Sequence, residues 1–437
     1  MARRRRILIF AYFFPPLGGA GVQRIVKLAK YLPEEGWDPT VVTVRGADYW
    51  MTDAALAGEL GPRVTIVRTN SLTGLGLLRR LAPRQAGRAD GLRSSVGAIR
   101  RLRRLAGWVM MPDSYVGWVP FACRAGDRLL REQEFDWILT TSSPDSTHLI
   151  GRRLAARHGV PWAADFRDPW TRRMAFAPPT GWHRRRQESL ERSVLEAAER
   201  VVFTSEATRV DYLRRYPRLD AAKVAVITNG YDEEDFAPLE GRAPAGEKMQ
   251  ILHAGQLNPE RPARPFLDGL RLFLDRTPGA AGRLGVRFIG PAYAGDREDA
   301  GRLGLEACVS FEPPQTHGRI VAEMLASHLL LLLEQDSERG ALILPGKIFE
   351  YLRSGRPILG LLPPGAAWRM IEDLEAGKCF RPADCKGVAR ELGRHYERFV
   401  RGEAPLPGAS RGPLAGHERR VLARRWVETL AGGFRPS

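Results

Sequence analysis

The chain has 437 residues, 44% of them hydrophobic and 27% charged, with a formal net charge of +17 at pH 7. The length exceeds what one hydrophobic core usually organises and the composition is that of a folded protein, so a disordered chain and a single small domain are excluded. No apolar run approaches the roughly 20 residues that span a bilayer as a helix.

Strand and helix patterns alternate through the first half of the chain, which predicts a parallel sheet with crossover helices. The apolar run at residues 7–14 is typical of a buried strand. It ends at Pro15 and Pro16 with no cleavage pattern, so we do not interpret it as a signal peptide and expect a cytoplasmic protein. Further strands are predicted at residues 40–44, 64–69, 137–143, 161–170, 200–205 and 223–230.

A glycine loop joins the first strand to a helix that begins near Val22. Gly18, Gly19 and Gly21 allow the backbone to approach an anion at the start of that helix. Arg24 stands where a dinucleotide-binding loop would carry its third glycine, so we do not expect NAD. The loop therefore predicts a phosphate contact, or a turn whose glycines serve its geometry alone.

Residues 77–107 contain nine arginines and a single acid, Asp90, interleaved with leucines and followed by Trp108. Leucine and tryptophan among arginines favour contact with an anionic membrane surface. A solvated basic face is the alternative. No nucleic-acid-binding module accompanies the segment, so we do not expect nucleic acid as a partner.

Polar residues gather where two predicted strands of the first half end. Asp165, Arg167 and Asp168 follow one strand, and His148 starts the helix after the preceding strand. Ligands of open α/β sheets bind at the carboxyl ends of strands, so Asp168 and His148 are candidate catalytic residues. An internal ion-pair network and a helix-capping histidine are the alternatives.

The second half repeats the alternation after an acidic, proline-containing stretch at residues 231–248 that is typical of a linker. Strands are predicted at residues 250–257, 286–290, 308–314, 329–335 and 357–362, with helices at 263–274, 320–327 and 347–355. A last helix is predicted after residue 416.

Candidate ligand contacts in the second half follow two of these strands. Gly255 ends the first, and Arg261 and Arg264 come next, where an arginine could hold a diphosphate. Lys347 and Glu350 share one face at the start of a helix after a Pro-Gly turn, a pattern that suits a phosphorylated ligand with hydroxyl groups. The sequence offers no set of residues with the spacing of a metal site, and we expect no metal and no cofactor.

In their order and spacing, several segments resemble glycosyltransferases of the GT-B fold, in particular family 4. They are FPPLGGAGVQR, PDSYVGW, PWAADFRDPW, ITNGYDEEDF, HAGQL and LPGKIFEYLRSGRPIL. The resemblance implies two Rossmann-like domains with a cleft between them. The acceptor domain would comprise residues 1–238 and the donor domain residues 239–404, with a tail helix at 405–437 that packs back on the N-terminal domain.

By this resemblance Glu350 matches the second glutamate of the family's E-x7-E motif and would bind the donor ribose. The first glutamate falls on Leu342, and Gln256 stands where the family has a phosphate-binding arginine, so Arg261 and Lys347 would supply the positive charge. The departure at Leu342 leaves sugar binding and the retaining mechanism open.

The resemblance implies a metal-independent transferase, expected to retain configuration, that moves a sugar from a nucleotide-diphosphate sugar to a hydroxyl acceptor. The acceptor could be a glycan, a lipid-linked sugar or a small molecule, and the protein could associate with the inner face of the membrane. A nucleotide-sugar epimerase and a catalytically inactive binding subunit are the alternatives.

Overall fold

The structure is a computed structural model that describes residues 3–18, 20–46, 55–72, 108, 110–173 and 176–432. Gly19 and residues 77–107 lie outside the described residues. The chain forms two compact units: one comprises Met1–Ile227 with Ala423–Ser437, the other Thr228–Leu422. The sequence-predicted boundary between residues 238 and 239 lies inside the second unit.

The first unit contains a seven-stranded parallel sheet in the order β3-β2-β1-β4-β5-β6-β7. Its strands are β1 Arg5–Phe10, β2 Trp37–Val44, β3 Thr65–Thr69, β4 Trp137–Thr141, β5 Trp162–Phe166, β6 Arg200–Phe203 and β7 Val224–Val226. Its described helices are Ala20–Tyr31, Ala55–Gly58, Val119–Glu132, Thr147–His158, Gly181–Ala197 and Glu206–Arg215, with 3-10 turns at Val116–Trp118 and Ala221–Lys223.

The second unit contains a six-stranded sheet, also parallel, in the order β10-β9-β8-β11-β12-β13. Its strands are β8 Met249–Ala254, β9 Leu284–Ile289, β10 Val309–Glu312, β11 Leu329–Leu333, β12 Ile358–Leu361 and β13 Gly377–Phe380. Its helices are Glu233–Phe236, Arg264–Arg276, Ala294–Arg302, His317–Leu325, Lys347–Arg353, Ala366–Asp373, Cys385–Val400 and Arg411–Leu414. Short 3-10 turns occur at Ala237–Leu239, Ala280–Arg283, Gly340–Leu342 and Ala415–His417, and the last helix, Arg419–Leu430, contributes residues to both units.

Each sheet buries both of its faces, as the near-continuous apolar strands predict. In β11 all five leucines of Leu329–Leu333 are buried, and in β1 the residues Ile7 to Phe10 are completely buried. Helices pack over both faces of each sheet and complete the buried apolar cores of the two units.

The predicted α/β class with two Rossmann-like parallel sheets is confirmed. Among the differences from the sequence-based expectations, two concern elements of the second unit. Strand β13, Gly377–Phe380, was not predicted, because it is short and has glycine, lysine and cysteine among its four residues. The predicted linker starts with folded structure: Tyr231 and Phe236 are buried, and Asp232 accepts a hydrogen bond from the backbone of Glu234 at the start of a short helix.

Among the described residues, no helix combines the length and the apolar character that crossing a membrane requires.

Candidate functional site

Strand order reverses once in each sheet, between β1 and β4 in the first unit and between β8 and β11 in the second. At such a reversal the connections after the two central strands leave toward opposite faces, so a crevice opens at the carboxyl ends of the strands. The candidate residues of each unit follow these central strands or their neighbours.

In the first unit, Asp165 at the end of β5 forms a buried ion pair with Arg24 of the first helix. The guanidinium donates Nε to Oδ2 at 3.0 Å and Nη2 to Oδ1 at 2.8 Å, and the Thr141 hydroxyl donates to Oδ2 at 2.8 Å. Both charged side chains are at most 4% exposed. Arg24, which takes the place of the third glycine of a dinucleotide loop, therefore ties the first helix to β5.

Asp168 lies on the loop after β5 and is 46% exposed. Arg167 donates Nη2 to Asp168 Oδ2 at 2.9 Å and Nη1 to the carbonyl of Gly21 at 2.7 Å. A Cβ atom on Gly21 would collide with this guanidinium, which explains the glycine. The hydrogen bonds that Asp168 accepts from described residues all go to Oδ2, so Oδ1 is open to a ligand.

His148 is completely buried at the start of the helix Thr147–His158. Its ring stacks on Phe166 with centroids 4.6 Å apart, and its Nδ1 lies 2.8 Å from the Thr140 hydroxyl. Burial lowers the pKa of His148 to about 3, so the imidazole is neutral at pH 7. Its Nε2 has no hydrogen-bond partner among the described residues.

A buried carboxylate, Glu191, holds the segment that follows Asp168. It accepts hydrogen bonds from the backbone N–H of Thr171 at 3.0 Å, from the Thr171 hydroxyl at 2.6 Å and from the Tyr212 and Tyr216 hydroxyls. Tyr212 in turn accepts the backbone N–H of Trp170 at 2.9 Å. This network fixes the loop on one side of Asp168 to two helices of the core.

In the second unit, Gly255 follows β8 and adopts φ +147°, a conformation that favours glycine. A Cβ atom there would come within 2.7 Å of the Lys347 amine, so the ammonium lies directly against the glycine backbone. Lys347 Nζ is also 3.4 Å from Nε2 of His253, whose Nδ1 lies 3.0 Å from the carbonyl of Leu331. His253 is buried and its pKa is lowered well below its ordinary value by burial and by Lys347, so a neutral ring with its lone pair toward Lys347 fits this geometry.

Lys347 has an unusually low affinity for its proton. Burial, together with the positive charge of Arg261, lowers the pKa of its ammonium group to about 7, against the opposing effects of Glu334 and Glu350. The side chain is thus poised between its charged and neutral forms at neutral pH.

Arg261 is the second cation at the carboxyl edge of the second sheet. Its Nη1 donates to Oε1 of Glu334 at 2.8 Å, and Glu334 stands directly after β11 with a side chain only 2% exposed. Two atoms of this pair, Arg261 Nε and Glu334 Oε2, are buried without a hydrogen-bond partner among the described residues. Buried polar atoms are nearly always paired, so these two atoms are candidates for hydrogen bonds to a ligand or to water.

Glu350 lies one turn after Lys347. Its Oε1 is 3.6 Å from Nε2 of His317, which also lies 3.2 Å from Oδ2 of Asp235. Leu342, at the position of the family's first glutamate, ends the 3-10 turn Gly340–Leu342. The structure therefore supplies one of the two motif carboxylates.

The helix Lys347–Arg353, which carries Lys347 and Glu350, is held in place by contacts with neighbouring segments. The Tyr351 hydroxyl accepts the backbone N–H of Ala254 at 2.8 Å, which attaches the helix to the end of β8. At its other end Arg353 forms a bidentate pair with Glu233 and lies over the Phe236 ring, 4.9 Å from the centroid. Lys347 is thus placed by contacts at both ends of its helix.

The structure brings together Gly255, Arg261 and Lys347, with Glu350 on the next turn of the helix. Arg264 instead pairs with Asp268 at 2.7 Å and Asp299 at 3.0 Å. In the first unit, Arg167 links Gly21 to Asp168, whereas Gly18 is buried in its loop. Glu334 and His253 were not predicted from the sequence. The sequence carried a signal for Glu334, because a charged residue directly follows the five leucines of β11.

Comparisons with known proteins find relatives that are named glycosyltransferases. D-inositol 3-phosphate glycosyltransferases of Streptomyces scabiei and Streptomyces avermitilis are 26% and 25% identical over 217 and 267 residues, or 46% and 53% of this chain and 47% and 55% of theirs. The chain thus spans about half the length of the curated relatives it matches.

Solved structures match over nearly the full length. The HepE protein of Anabaena, crystallised with UDP and glucose, has a TM-score of 0.61 at 17% identity, covering 98% of this chain and 99% of that one. An α,α-trehalose 6-phosphate synthase from Burkholderia multivorans has a TM-score of 0.62 at 15% identity, covering 98% and 97%. A protein described as a UDP-N-acetylglucosamine 2-epimerase from Listeria monocytogenes has a TM-score of 0.55 at 11% identity, covering 100% and 99%.

These similarities confirm the predicted GT-B fold. Residues 17–235, half of the chain, match the family described as Glycosyltransferase Family 4. The matched part includes the glycine loop, His148, Asp165 and Asp168. The chain belongs to glycosyltransferase family 4.

Proposed function

We propose that this protein transfers a sugar from a nucleotide-diphosphate sugar to a hydroxyl group. The observation that carries the proposal is the cation pair Arg261 and Lys347 beside the open backbone of Gly255, at the carboxyl edge of the second sheet. Two cations next to a glycine suit a diphosphate, because the anion can approach the backbone and both charges at once. Glu350 would accept hydrogen bonds from the ribose hydroxyls.

The same cations would assist departure of the nucleoside diphosphate. As the bond between the sugar and the β-phosphate breaks, negative charge grows on the phosphate oxygens, and positive groups already in place stabilise it without reorganisation. Arg261 and Lys347 would supply this charge without a metal ion. Glu334 would hold Arg261 in position through its hydrogen bond at 2.8 Å.

The acceptor would bind to the first unit. Asp168 Oδ1 could accept a hydrogen bond from the acceptor hydroxyl, and His148 Nε2, buried without a partner in the described residues, could donate to or accept from a ligand oxygen. His148 would act as a neutral hydrogen-bonding group, since its pKa of about 3 rules out a charged ring at pH 7. We propose that the reaction retains configuration, in keeping with the family resemblance.

The relatives named D-inositol 3-phosphate glycosyltransferases suggest a phosphorylated polyol as the first acceptor to test. Transfer from UDP-glucose and from a panel of uridine and guanosine diphosphate sugars to inositol phosphate would be followed by mass spectrometry. Formation of a glycosylated acceptor supports the proposal. Binding of a nucleotide sugar without transfer to any polyol, glycan or lipid-linked acceptor would favour the inactive binding subunit, for which Leu342 is the motivating observation.

An epimerase is the second candidate, since a structure described as an epimerase shares the fold with a TM-score of 0.55. The two activities differ in their need for an acceptor. Conversion of the sugar nucleotide into its epimer with no acceptor present would support the epimerase and contradict the transferase.

We also propose that the acceptor is presented at an anionic membrane surface. Beyond the arginine-rich residues 77–107, the described part of the first unit shows an exposed aromatic patch: Trp108 is 53% exposed and Trp182 61% exposed, with the buried His183 packed between them. Arg184, Arg185 and Arg186 follow on the same helix and are exposed. Tryptophan and arginine side chains together favour the interface of an anionic bilayer.

Co-sedimentation with vesicles of phosphatidylcholine, with and without phosphatidylglycerol, tests this part of the proposal. Arg184, Arg185 and Arg186 changed together to Gln should reduce binding to anionic vesicles about tenfold or more, at roughly 1 kcal/mol for each charge. The control changes Arg124, Arg128 and Arg131, exposed on another helix of the same unit, to Gln. Equal losses in both triple variants, or no dependence on the anionic lipid, would contradict a role for this patch.

A further inference from the structure

A cavity of about 330 Å³ lies in the second unit, away from the donor residues described above. Arg356 lines it two residues before β12 begins, and Leu325 lines it four residues before β11. The strands are parallel, so these residues mark the amino edge of the sheet, whereas Gly255 and Glu334 follow their strands and mark the carboxyl edge. The cavity therefore opens at the edge opposite to Lys347 and Arg261.

The lining of the cavity is strongly basic. Four arginines and one acid contribute: Arg242, Arg353, Arg356, Arg411 and Glu240. Two of these arginines are neutralised, because Arg353 pairs with Glu233 and Arg411 donates to Glu240 at 2.7 Å. Arg242 and Arg356 have no carboxylate partner within 4.0 Å among the described residues.

Arg356 is held in place without a counter-ion. Its Nε donates to the carbonyl of Leu325 at 3.1 Å and its Nη2 to the carbonyl of Arg242 at 3.0 Å. Burial lowers the pKa of Arg356, which reflects the cost of keeping a half-buried guanidinium without an opposing charge. Buried charges are ordinarily paired, and the guanidinium of Arg356 is oriented by two backbone carbonyls with no carboxylate beside it among the described residues.

The backbone around Arg356 is closely packed. Gly408 donates its N–H to the carbonyl of Gly355 at 3.0 Å, and a Cβ atom on Gly408 would come within 2.5 Å of the carbonyl oxygen of Arg356. The tail segment with Ala409, Ser410 and Arg411 thereby forms one wall of the cavity against the segment 353–356. Contacts between backbone atoms therefore fix this wall of the cavity.

We propose that this arginine cavity, lined by Arg242, Arg353, Arg356 and Arg411, is a second anion site that binds a phosphate group. Guanidinium groups match the oxygens of a phosphate in pairs, and a dianionic phosphate would supply the negative charge that Arg242 and Arg356 lack. The volume suits a phosphorylated small molecule or the headgroup of an anionic lipid. The site is independent of the proposed donor site, because it shares none of that site's residues.

Thermal unfolding of the full chain in inorganic phosphate and in glycerol 3-phosphate tests the proposal. The double variant Arg261→Met with Lys347→Met serves as the background, so that phosphate bound at the donor edge does not contribute. We expect saturating phosphate to raise the Tm of this background by a few degrees. Adding Arg356→Gln or Arg242→Gln should weaken phosphate affinity about tenfold or more, whereas Arg369→Gln, exposed on another helix of the same unit, should leave it unchanged.

The variants separate binding from folding. Arg242 is exposed and should tolerate substitution, so Arg242→Gln remains informative if Arg356→Gln destabilises the chain. Co-sedimentation with phosphatidic acid vesicles distinguishes a lipid headgroup from a free phosphate compound as the ligand. If Arg242→Gln loses binding to the vesicles and not to soluble phosphates, the ligand is a lipid headgroup. If it loses binding only to soluble phosphates, the ligand is a free phosphate compound. An equal affinity of Arg242→Gln and its background for every probe, or no binding of any phosphate, would overturn the proposal.

Discussion

Lys347 is the residue whose chemistry most directly links structure to proposed function. Its pKa of about 7 means that it loses positive charge as the pH rises through neutrality. A bound diphosphate would favour the protonated form, and a nucleotide sugar has no phosphate group that titrates in this range. We expect the affinity for UDP-glucose to fall on the order of tenfold between about pH 6.5 and pH 8.5, measured by isothermal titration calorimetry.

Lys347→Arg provides the control, because a guanidinium stays charged throughout. This variant should bind UDP-glucose with little dependence on pH. A wild-type affinity that is equally flat would show that Lys347 does not carry the charge that the diphosphate meets.

The pKa of Lys347 also has a consequence for stability. The folded state depresses this pKa below its unfolded value, so folding is penalised at every pH at which the unfolded chain is protonated: below about pH 7 the folded chain keeps the charge in a buried site, and above it the folded chain must release the proton. The penalty is greatest below about pH 7 and disappears as the pH rises toward the unfolded pKa near 10.4. Lys347→Met should therefore raise the free energy of unfolding by about 1 kcal/mol at pH 7 and by less at pH 9.5, measured by urea denaturation; a loss of stability at pH 7 would contradict this.

Substitution of Glu350 tests ribose recognition. Glu350→Gln should weaken UDP-glucose binding about tenfold, the cost of one hydrogen bond to a charged acceptor. The analogue that lacks both ribose hydroxyls should bind the wild type and the variant equally. Glu298→Gln, exposed on the helix Ala294–Arg302, is the matched control, and a loss of equal size for the analogue would argue against the ribose contact.

At the scale of elements, the seating of the helix Lys347–Arg353 depends on the Tyr351 hydroxyl. Tyr351→Phe leaves the buried N–H of Ala254 without its partner, so we expect a loss of about 1–3 kcal/mol, measured by thermal or urea unfolding. Tyr293→Phe, at a 47% exposed position of the same unit, should change little. Unchanged stability of Tyr351→Phe would mean that the helix is held by apolar packing alone.

The helix Gly181–Ala197 anchors the loop of Asp168 through Glu191. Glu191→Gln removes the charge that receives four hydrogen bonds and should destabilise the first unit by about 1–3 kcal/mol. Glu188→Gln, three residues earlier and half-buried, is the matched control. If both variants unfold at the same temperature as the wild type, the network does not hold this loop.

Most strands could be predicted from the sequence, whereas contacts between distant residues could not. Periodicity and turn residues predicted twelve of the thirteen strands and the helix at Lys347, because buried parallel strands and glycine-ended helices leave local patterns. The pairing of Arg261 with Glu334, 73 residues apart, has no local pattern and depends on strand order. The same holds for Arg24 with Asp165 and for the arginine cavity, which is assembled from four separated segments.

At the scale of the whole molecule, two parallel sheets each place glycine and charged residues at the point where strand order reverses. This common design explains why short motifs at strand ends identified the family, whereas the charge of +17 did not. We propose that the second unit binds a nucleotide-diphosphate sugar through Arg261 and Lys347.

Calorimetric titration of UDP-glucose into the wild type, the double variant Arg261→Met with Lys347→Met, and the control Arg369→Gln tests this binding. Each lost charge-assisted contact is worth about 1.5–3 kcal/mol, so the double variant should bind at least a hundredfold more weakly, with an unchanged circular dichroism spectrum. The control should match the wild type. Equal affinity of the double variant and the wild type would contradict the proposal.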